Sequence, residues 1–157
     1  MRYAIIFLIF LTFALNAQRF VKITEGAIVN DGGDSRSVNW TDHDGDGDLD
    51  LFVSNGKNGG QNNFFYQNNG DGTFTKIDSL VITKDNSPSV GASWGDFDND
   101  GFPDLFVSTW YNKINYLYKN NGDGTYTQLS SSAVMTDLTY SETGTWGDYN
   151  KDGWLDL

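Results

Sequence analysis

The stretch from Trp94 to Val107 crowds four aspartates together: Asp96, Asp98, Asp100 and Asp104 stand at relative positions 1, 3, 5 and 9, with Gly101 at position 6. Carboxylates packed this closely repel one another, so the segment needs a compensating charge, and a bound cation supplies it. Calcium suits the pattern because it is a hard ion that takes about six to eight oxygens, which a short loop can offer from alternate side chains and a backbone carbonyl. Gly101 permits the sharp bend that turns the later ligands back towards the ion.

The arrangement occurs three times. Trp40 to Val53 carries Asp42, Asp44, Asp46 and Asp50, and Trp146 to Leu157 carries Asp148, Asn150, Asp152 and Asp156. The spacing is 54 residues from Trp40 to Trp94 and 52 from Trp94 to Trp146, so the chain reads as a repeat array. Around each loop lie the same short β patterns. A small-residue strand ends at the Trp (Ser37 to Trp40, Gly91 to Trp94), and an apolar strand follows the loop (Leu51-Phe52-Val53, Leu105-Phe106-Val107). A third runs from Asn63 to Asn68 and from Asn115 to Asn120, and turns through Asn69-Gly70-Asp71-Gly72 or Asn121-Gly122-Asp123-Gly124 into a fourth. Asn-Gly and Asp-Gly between apolar runs mark hairpins because they accept positive φ. Four antiparallel strands per repeat predict an all-β fold of β-propeller blades.

Phe20-Val21-Lys22-Ile23 has the alternation of a half-buried strand and is echoed by Phe74 to Ile77 and Tyr126 to Leu129. The segments from these to the next Trp read as polar surface crossings. Approximate blades are then 20–77, 78–129 and a truncated 130–157. Ring closure takes about four to eight blades, so about two and a half predict an incomplete propeller, the remainder coming from a longer chain. Its terminal faces are expected to leave Phe64-Phe65-Tyr66 and Tyr116-Leu117-Tyr118 bare.

Arg2, the apolar run Ala4 to Leu15 and Asn16-Ala17 read as a secretory signal peptide over 1–17, leaving 18–157 as the repeat region of an exported or cell-surface protein. The apolar run is shorter than the ~20 residues of a membrane span, so no membrane insertion is expected after cleavage. With no cysteine, disulfides do not hold the chain together, and metal sites could fill that role. The net charge of −11 becomes −12 without Arg2, which argues against nucleic acid and anionic membranes as partners. Of 21 acidic residues all but Glu25 and Glu142 are Asp, and 11 stand at the loop positions, a bias that points to chelation. One histidine and no cysteine leave no nucleophile–base constellation or zinc site, and the close carboxylates are accounted for by the loops, so no enzymatic activity is expected. His43 occupies a non-ligand position and is expected to be exposed. Trp40, Trp94 and Trp146 are expected in the core, and Trp110-Tyr111, without an aromatic counterpart in the first repeat, is a candidate sugar-stacking platform.

The Trp-x-Asp-x-Asp-x-Asp-Gly-x-x-Asp-Leu loop and the Asn-Asn-Gly-Asp-Gly-Thr-aromatic hairpin, recurring together from Phe20 to Leu157, resemble the FG-GAP/VCBS repeat family, calcium-loop propeller repeats also found in integrin α subunits. The resemblance implies Ca²⁺ bound by the side chains at positions 1, 3, 5 and 9 and the carbonyl at position 7. These are Asp42, Asp44, Asp46, Asp50 and the carbonyl of Asp48; Asp96, Asp98, Asp100, Asp104 and the carbonyl of Phe102; Asp148, Asn150, Asp152, Asp156 and the carbonyl of Trp154. Asn150 in place of a carboxylate makes the third site the weakest. The literal Phe-Gly and Gly-Ala-Pro string is absent, so the likeness is nearer to the tandem repeats of exported bacterial proteins. An EF-hand fits worse, since its position 12 is here Val53 or Val107. The family implies a binding, adhesion or scaffold module for a protein or carbohydrate ligand that the residues do not identify. The alternative is the propeller portion of a carbohydrate-active enzyme, since similar repeats form part of some polysaccharide lyases.

Overall fold

The computed structural model describes residues 20–56, 58–131, 133–136, 138 and 140–157. The apolar run read as a signal peptide lies outside them. Two four-stranded antiparallel sheets dominate. The first is β1 (Ser35–Thr41), β2 (Asp50–Asn55), β3 (Phe64–Asn68) and β4 (Phe74–Lys76), and the second is β5 (Ser89–Gly95), β6 (Asp104–Thr109), β7 (Tyr116–Asn120) and β8 (Tyr126–Gln128). Each sheet is an up-and-down meander in sequence order, the form of a propeller blade. The registers correspond: Trp40 pairs with Leu51 as Trp94 pairs with Leu105, and Leu51 with Tyr66 as Leu105 with Tyr118.

The second strand is the centre of each blade, and all six residues of β2 and of β6 are buried. Their unbroken apolar runs are what a strand covered on both faces requires. Successive side chains point to opposite faces. Leu51 and Val53 pack with Tyr66 on one side of the first blade, against Ala27 and Ile28. On its other side Phe52 and Phe65 join Leu105, Val107, Tyr118 and Tyr126 of the second blade, with Ile82 between. Phe106 and Leu117 then face Met135 and Trp146 of the third repeat. The blades are therefore stacked layers that share cores, and the same bond ties each layer to the next. Ser54 Oγ donates to the carbonyl of Val90 (2.6 Å), and Ser108 Oγ to that of Glu142 (2.9 Å).

Several expectations are corrected here. Phe20 to Ile23 forms no strand and is exposed, whereas its echoes pair with β3 and β7 as β4 and β8. Among the described residues no third-strand partner precedes it. The crossings between repeats are not merely polar. They contain a short helix α1 (Ala27–Asn30) and 3-10 turns at Val81–Thr83 and Ala133–Met135, which place Ile28, Ile82 and Met135 on the sheet cores. α1 and the 3-10 turn at Ala133–Met135 cover the faces expected to be bare at Tyr66 and Leu117, while Phe65 and Tyr118 are buried between the two blades. Trp94 packs edge-on to Phe52 of the preceding blade and Trp146 stacks on Phe97, while Trp40, with no blade before it among the described residues, touches Phe74 and is 53% exposed. Around residues 130–157 the third repeat contributes, among the described residues, one isolated bridge, Gly147 to Asp156. No helix among the described residues is long and apolar enough to cross a membrane.

The crossing into the second blade is held by Asp85. Its Oδ2 accepts from Asn63 Nδ2 (2.9 Å) and Ser89 Oγ (3.0 Å), while Oδ1 is buried without a hydrogen-bond partner. Burial pushes this carboxyl up to about 6, the two donors opposing the shift only in part. The folded state therefore holds a proton that the unfolded chain, with an ordinary carboxyl value of 3.8, has released between those pH values. Stability falls as pH rises through this window, and the penalty is complete above it. Asp85→Asn removes the ionised form and is expected to raise stability by about 1–3 kcal/mol at pH 7.5 and by almost nothing at pH 4. Denaturant melts of both proteins at the two pH values, with divalent ions held constant, check this; an equal change at both would contradict it.

Candidate metal centre

Each Asp loop is shaped by its own carboxylates accepting backbone N–H groups. At position 1, Asp96 receives Asp100 N–H on Oδ1 (3.0 Å) and Gly101 N–H on Oδ2 (2.9 Å), and Asp148 receives Asp152 and Gly153 N–H at 3.1 and 3.0 Å. Asp42 receives Gly45 N–H (2.8 Å) and Gly47 N–H (3.1 Å). At position 5, Asp46, Asp100 and Asp152 each accept the N–H two residues on, at 2.8, 3.0 and 2.9 Å. The bend falls where the spacing predicts, because Gly47, Gly101 and Gly153 share φ values of 92°, 93° and 91°, a region that disfavours any side chain.

The position 9 carboxylate joins loop to sheet. Asp50 accepts from His43 N–H (3.2 Å) and, across the blade, from Asn68 N–H (2.8 Å), and Asp104 accepts from Phe97 N–H (3.0 Å) and Asn120 N–H (2.8 Å). Asp156 keeps the loop half of this arrangement, accepting from Tyr149 N–H at 2.9 Å. Both bridging carboxyls are buried, and burial raises both, Asp104 to about 6. The neighbouring charges of Asp98 and Asp100 add to the shift at Asp104, the electrostatic signature of a site short of positive charge.

Carboxylate oxygens of Asp42, Asp44 and Asp46 lie within 4.8 Å of one another, as do those of Asp96, Asp98 and Asp104. Asp98 Oδ1 is buried with no hydrogen-bond partner. Three carboxylates this close, one of them with a buried and unpaired oxygen, are a poor arrangement for protein alone and a good one for a hard divalent cation, so the residues fit calcium. In the third loop, Asn150 Nδ2 donates to Asp152 Oδ2 (2.9 Å), and no such acidic cluster forms there among the described residues. Position 7 also links the two sequence motifs: a Cβ on hairpin Gly70 would meet Asp48 Oδ2 at 2.7 Å, and one on Gly122 would meet the Phe102 ring at 2.6 Å.

His43 is not exposed. It is 5% accessible, edge-on to Phe65 and within 3.3 Å of Tyr126 Oη, and its carbonyl accepts Asn120 Nδ2 (2.8 Å) from the second blade. His43, Asp44 and Asp50 form a further close group. The reason lies in tertiary packing, since the first loop is roofed by the neighbouring blade. Trp110 and Tyr111 pack with Tyr140 at ring separations of 6.0–6.4 Å, and Arg36 lies 5.6 Å over the Trp110 ring, so the candidate platform is covered on one face.

Sequence reading missed the anchors of the crossings. Asn63 Oδ1 accepts from Asn55 N–H and Asn115 Oδ1 from Thr109 N–H, both at 3.0 Å, and Tyr66 Oη donates to Asp31 (2.8 Å). A signal was present: Asp31 and Asp85 each stand nine residues before a loop Trp (40 − 31 and 94 − 85). A family model described as the FG-GAP-like repeat matches the chain over residues 42–107 and again over 96–157. No curated protein matches it.

The two kinds of loop carboxylate differ in what their loss should do. Without divalent ions, Asp104→Ala leaves the Phe97 and Asn120 N–H groups unpaired at a buried junction and is expected to cost about 2–4 kcal/mol. Asp100→Ala, in an exposed part of the loop, is expected to cost under about 1 kcal/mol. Urea melts in chelator check the pair, and equal losses would contradict the division.

Proposed function

The chain belongs to the FG-GAP-like repeat family, and on that premise we propose that it is a calcium-braced β-propeller module of an exported protein, serving binding or scaffolding rather than chemistry. The observation that carries the metal reading is the convergence of carboxylate oxygens of Asp96, Asp98 and Asp104 within 4.8 Å, beside an Asp98 Oδ1 that is buried without a hydrogen-bond partner. Asp42, Asp44, Asp46 and Asp50 would hold the ion in the first loop and Asp96, Asp98, Asp100 and Asp104 in the second, with the carbonyls of Asp48 and Phe102. Asp148, Asn150, Asp152 and Asp156, with the carbonyl of Trp154, form the weakest site. Bound calcium supplies positive charge that offsets the mutual repulsion of these carboxylates.

The residues' part is to carry that stabilisation inward. Asp50 and Asp104 bond to the strand ends at Asn68 and Asn120, so a fixed loop fixes the third strand of its blade. Asn120 in turn bonds to the carbonyl of His43, so the first loop and the second blade are held together. Export is supported by Arg2 and the apolar run Ala4 to Leu15 that follows it, and a bracing role by the bonds that join Asp50 and Asp104 to the strand ends.

Calorimetry on the chelator-stripped protein tests this. Calcium is expected to bind with dissociation constants of roughly 10⁻⁵ to 10⁻³ M and more tightly than magnesium. The absence of calcium-dependent heat at millimolar ion, or a preference for magnesium, would contradict it.

A further inference from the structure

The first two loops differ in the strand residue that reaches them, a contact their shared motif does not include. The fourth residue of β7, Lys119, places Nζ on Asp98 Oδ2 and on Asp100 Oδ2 (2.8 Å), bridging positions 3 and 5 of the second loop. The corresponding residue of β3 is Gln67, which donates from a neutral amide, Nε2, to Asp44 Oδ2 (3.1 Å) at position 3 of the first loop. The strand position therefore reaches the loop in both blades, but in the second it brings a full positive charge.

The charge inventories diverge accordingly. The first loop carries five carboxylates, Asp42, Asp44, Asp46, Asp48 and Asp50, with Gln67 and, 3.7 Å from Asp44 Oδ2, the imidazole Nε2 of His43 beside them. The second carries four, and Lys119 offsets one. An ammonium tethered by its own strand competes with a divalent cation for the same oxygens, and the two cations repel each other if both stay. About a third of the Lys119 side chain is exposed, so it can move to solvent when displaced.

Building on the calcium reading above, we propose that Lys119 is a tethered counter-ion of the second loop: it holds Asp98 and Asp100 in place without a metal and sets that loop's calcium affinity below the first's, so that the loops fill in order. Lys119 is thus an affinity-determining residue that ligates nothing itself. The second blade keeps a shaped loop at calcium levels where only the first loop is occupied.

The position 6 glycines give each loop its own reporter, because Gly47 N–H bonds to Asp42 and Gly101 N–H to Asp96. Amide ¹H–¹⁵N spectra of the full chain are recorded through a calcium titration for the wild type, Lys119→Gln, Lys119→Met and Gln67→Lys. In the wild type Gly47 is expected to shift at lower calcium than Gly101. Both Lys119 variants are expected to lower the Gly101 midpoint about ten-fold while leaving Gly47 in place, and Gln67→Lys to raise the Gly47 midpoint by a similar factor. Lys119→Met separates loss of charge from gain of an amide, and Gln67→Lys makes the test at a second site should either Lys119 variant fail to fold. A Gly101 midpoint unchanged or raised in the Lys119 variants, with calcium still binding the wild type, would overturn the proposal alone. No shift at any glycine in any variant would overturn the calcium reading and this proposal together.

Discussion

Two buried carboxylates, Asp50 and Asp104, hold this structure to its plan. Each takes one N–H from the start of its loop and one from the end of the third strand, so the loop cannot move without the sheet. A buried carboxylate is costly unless it is paired, and here amide dipoles offset only part of the cost. Asp104 sits near 6 because the remaining imbalance is unresolved by the protein itself. The same groups that organise the fold thus create its demand for positive charge.

From these anchors the stacking follows. A blade with its second strand buried on both faces cannot exist as a single sheet, since Leu51 and Val53 face one way and Phe52 the other. Each layer must be covered by the next, and the cover is built from recurring parts: an apolar turn (Ile82, Met135), a Trp from the following repeat (Trp94, Trp146) and a serine bond across the gap (Ser54, Ser108). Trp40 occupies the same register as Trp94, and its exposure reflects the place of its blade in the stack.

The elements that local chemistry decides were legible in the sequence. The positive φ at Gly47, Gly101 and Gly153, the Asn-Gly-Asp-Gly hairpins, and the central strands Leu51 to Val53 and Leu105 to Val107 all stand where spacing placed them. The acidic loop positions were legible only as a pattern, and the structure adds which carboxylates converge and that Asp98 Oδ1 stays unpaired. What the sequence hid depends on contacts between repeats. His43 looks like a surface residue of an acidic loop until Tyr126, 83 residues later, covers it. Phe20 to Ile23 has a strand's alternation but no neighbour to pair with among the described residues. The crossings read as polar because each holds a single short apolar cluster (Ala27-Ile28-Val29, Leu80-Val81-Ile82, Ala133-Val134-Met135), too short for a periodic signal, although Ile28 and Ile82 recur twelve residues before a Trp (40 − 28 and 94 − 82). Lys119 was invisible as a loop residue because it belongs to a strand.

If the loops brace the blades, charge compensation at the loops should be felt in strands that no ligand belongs to. Hydrogen exchange of the full chain, followed residue by residue with calcium and with chelator, measures this most directly. The account predicts that calcium slows exchange at the loop amides and also in β2 and β6, whose interior amides open only when the stack opens. Slowing confined to the loops, or no slowing anywhere, would contradict the claim that ion binding and blade stability are coupled.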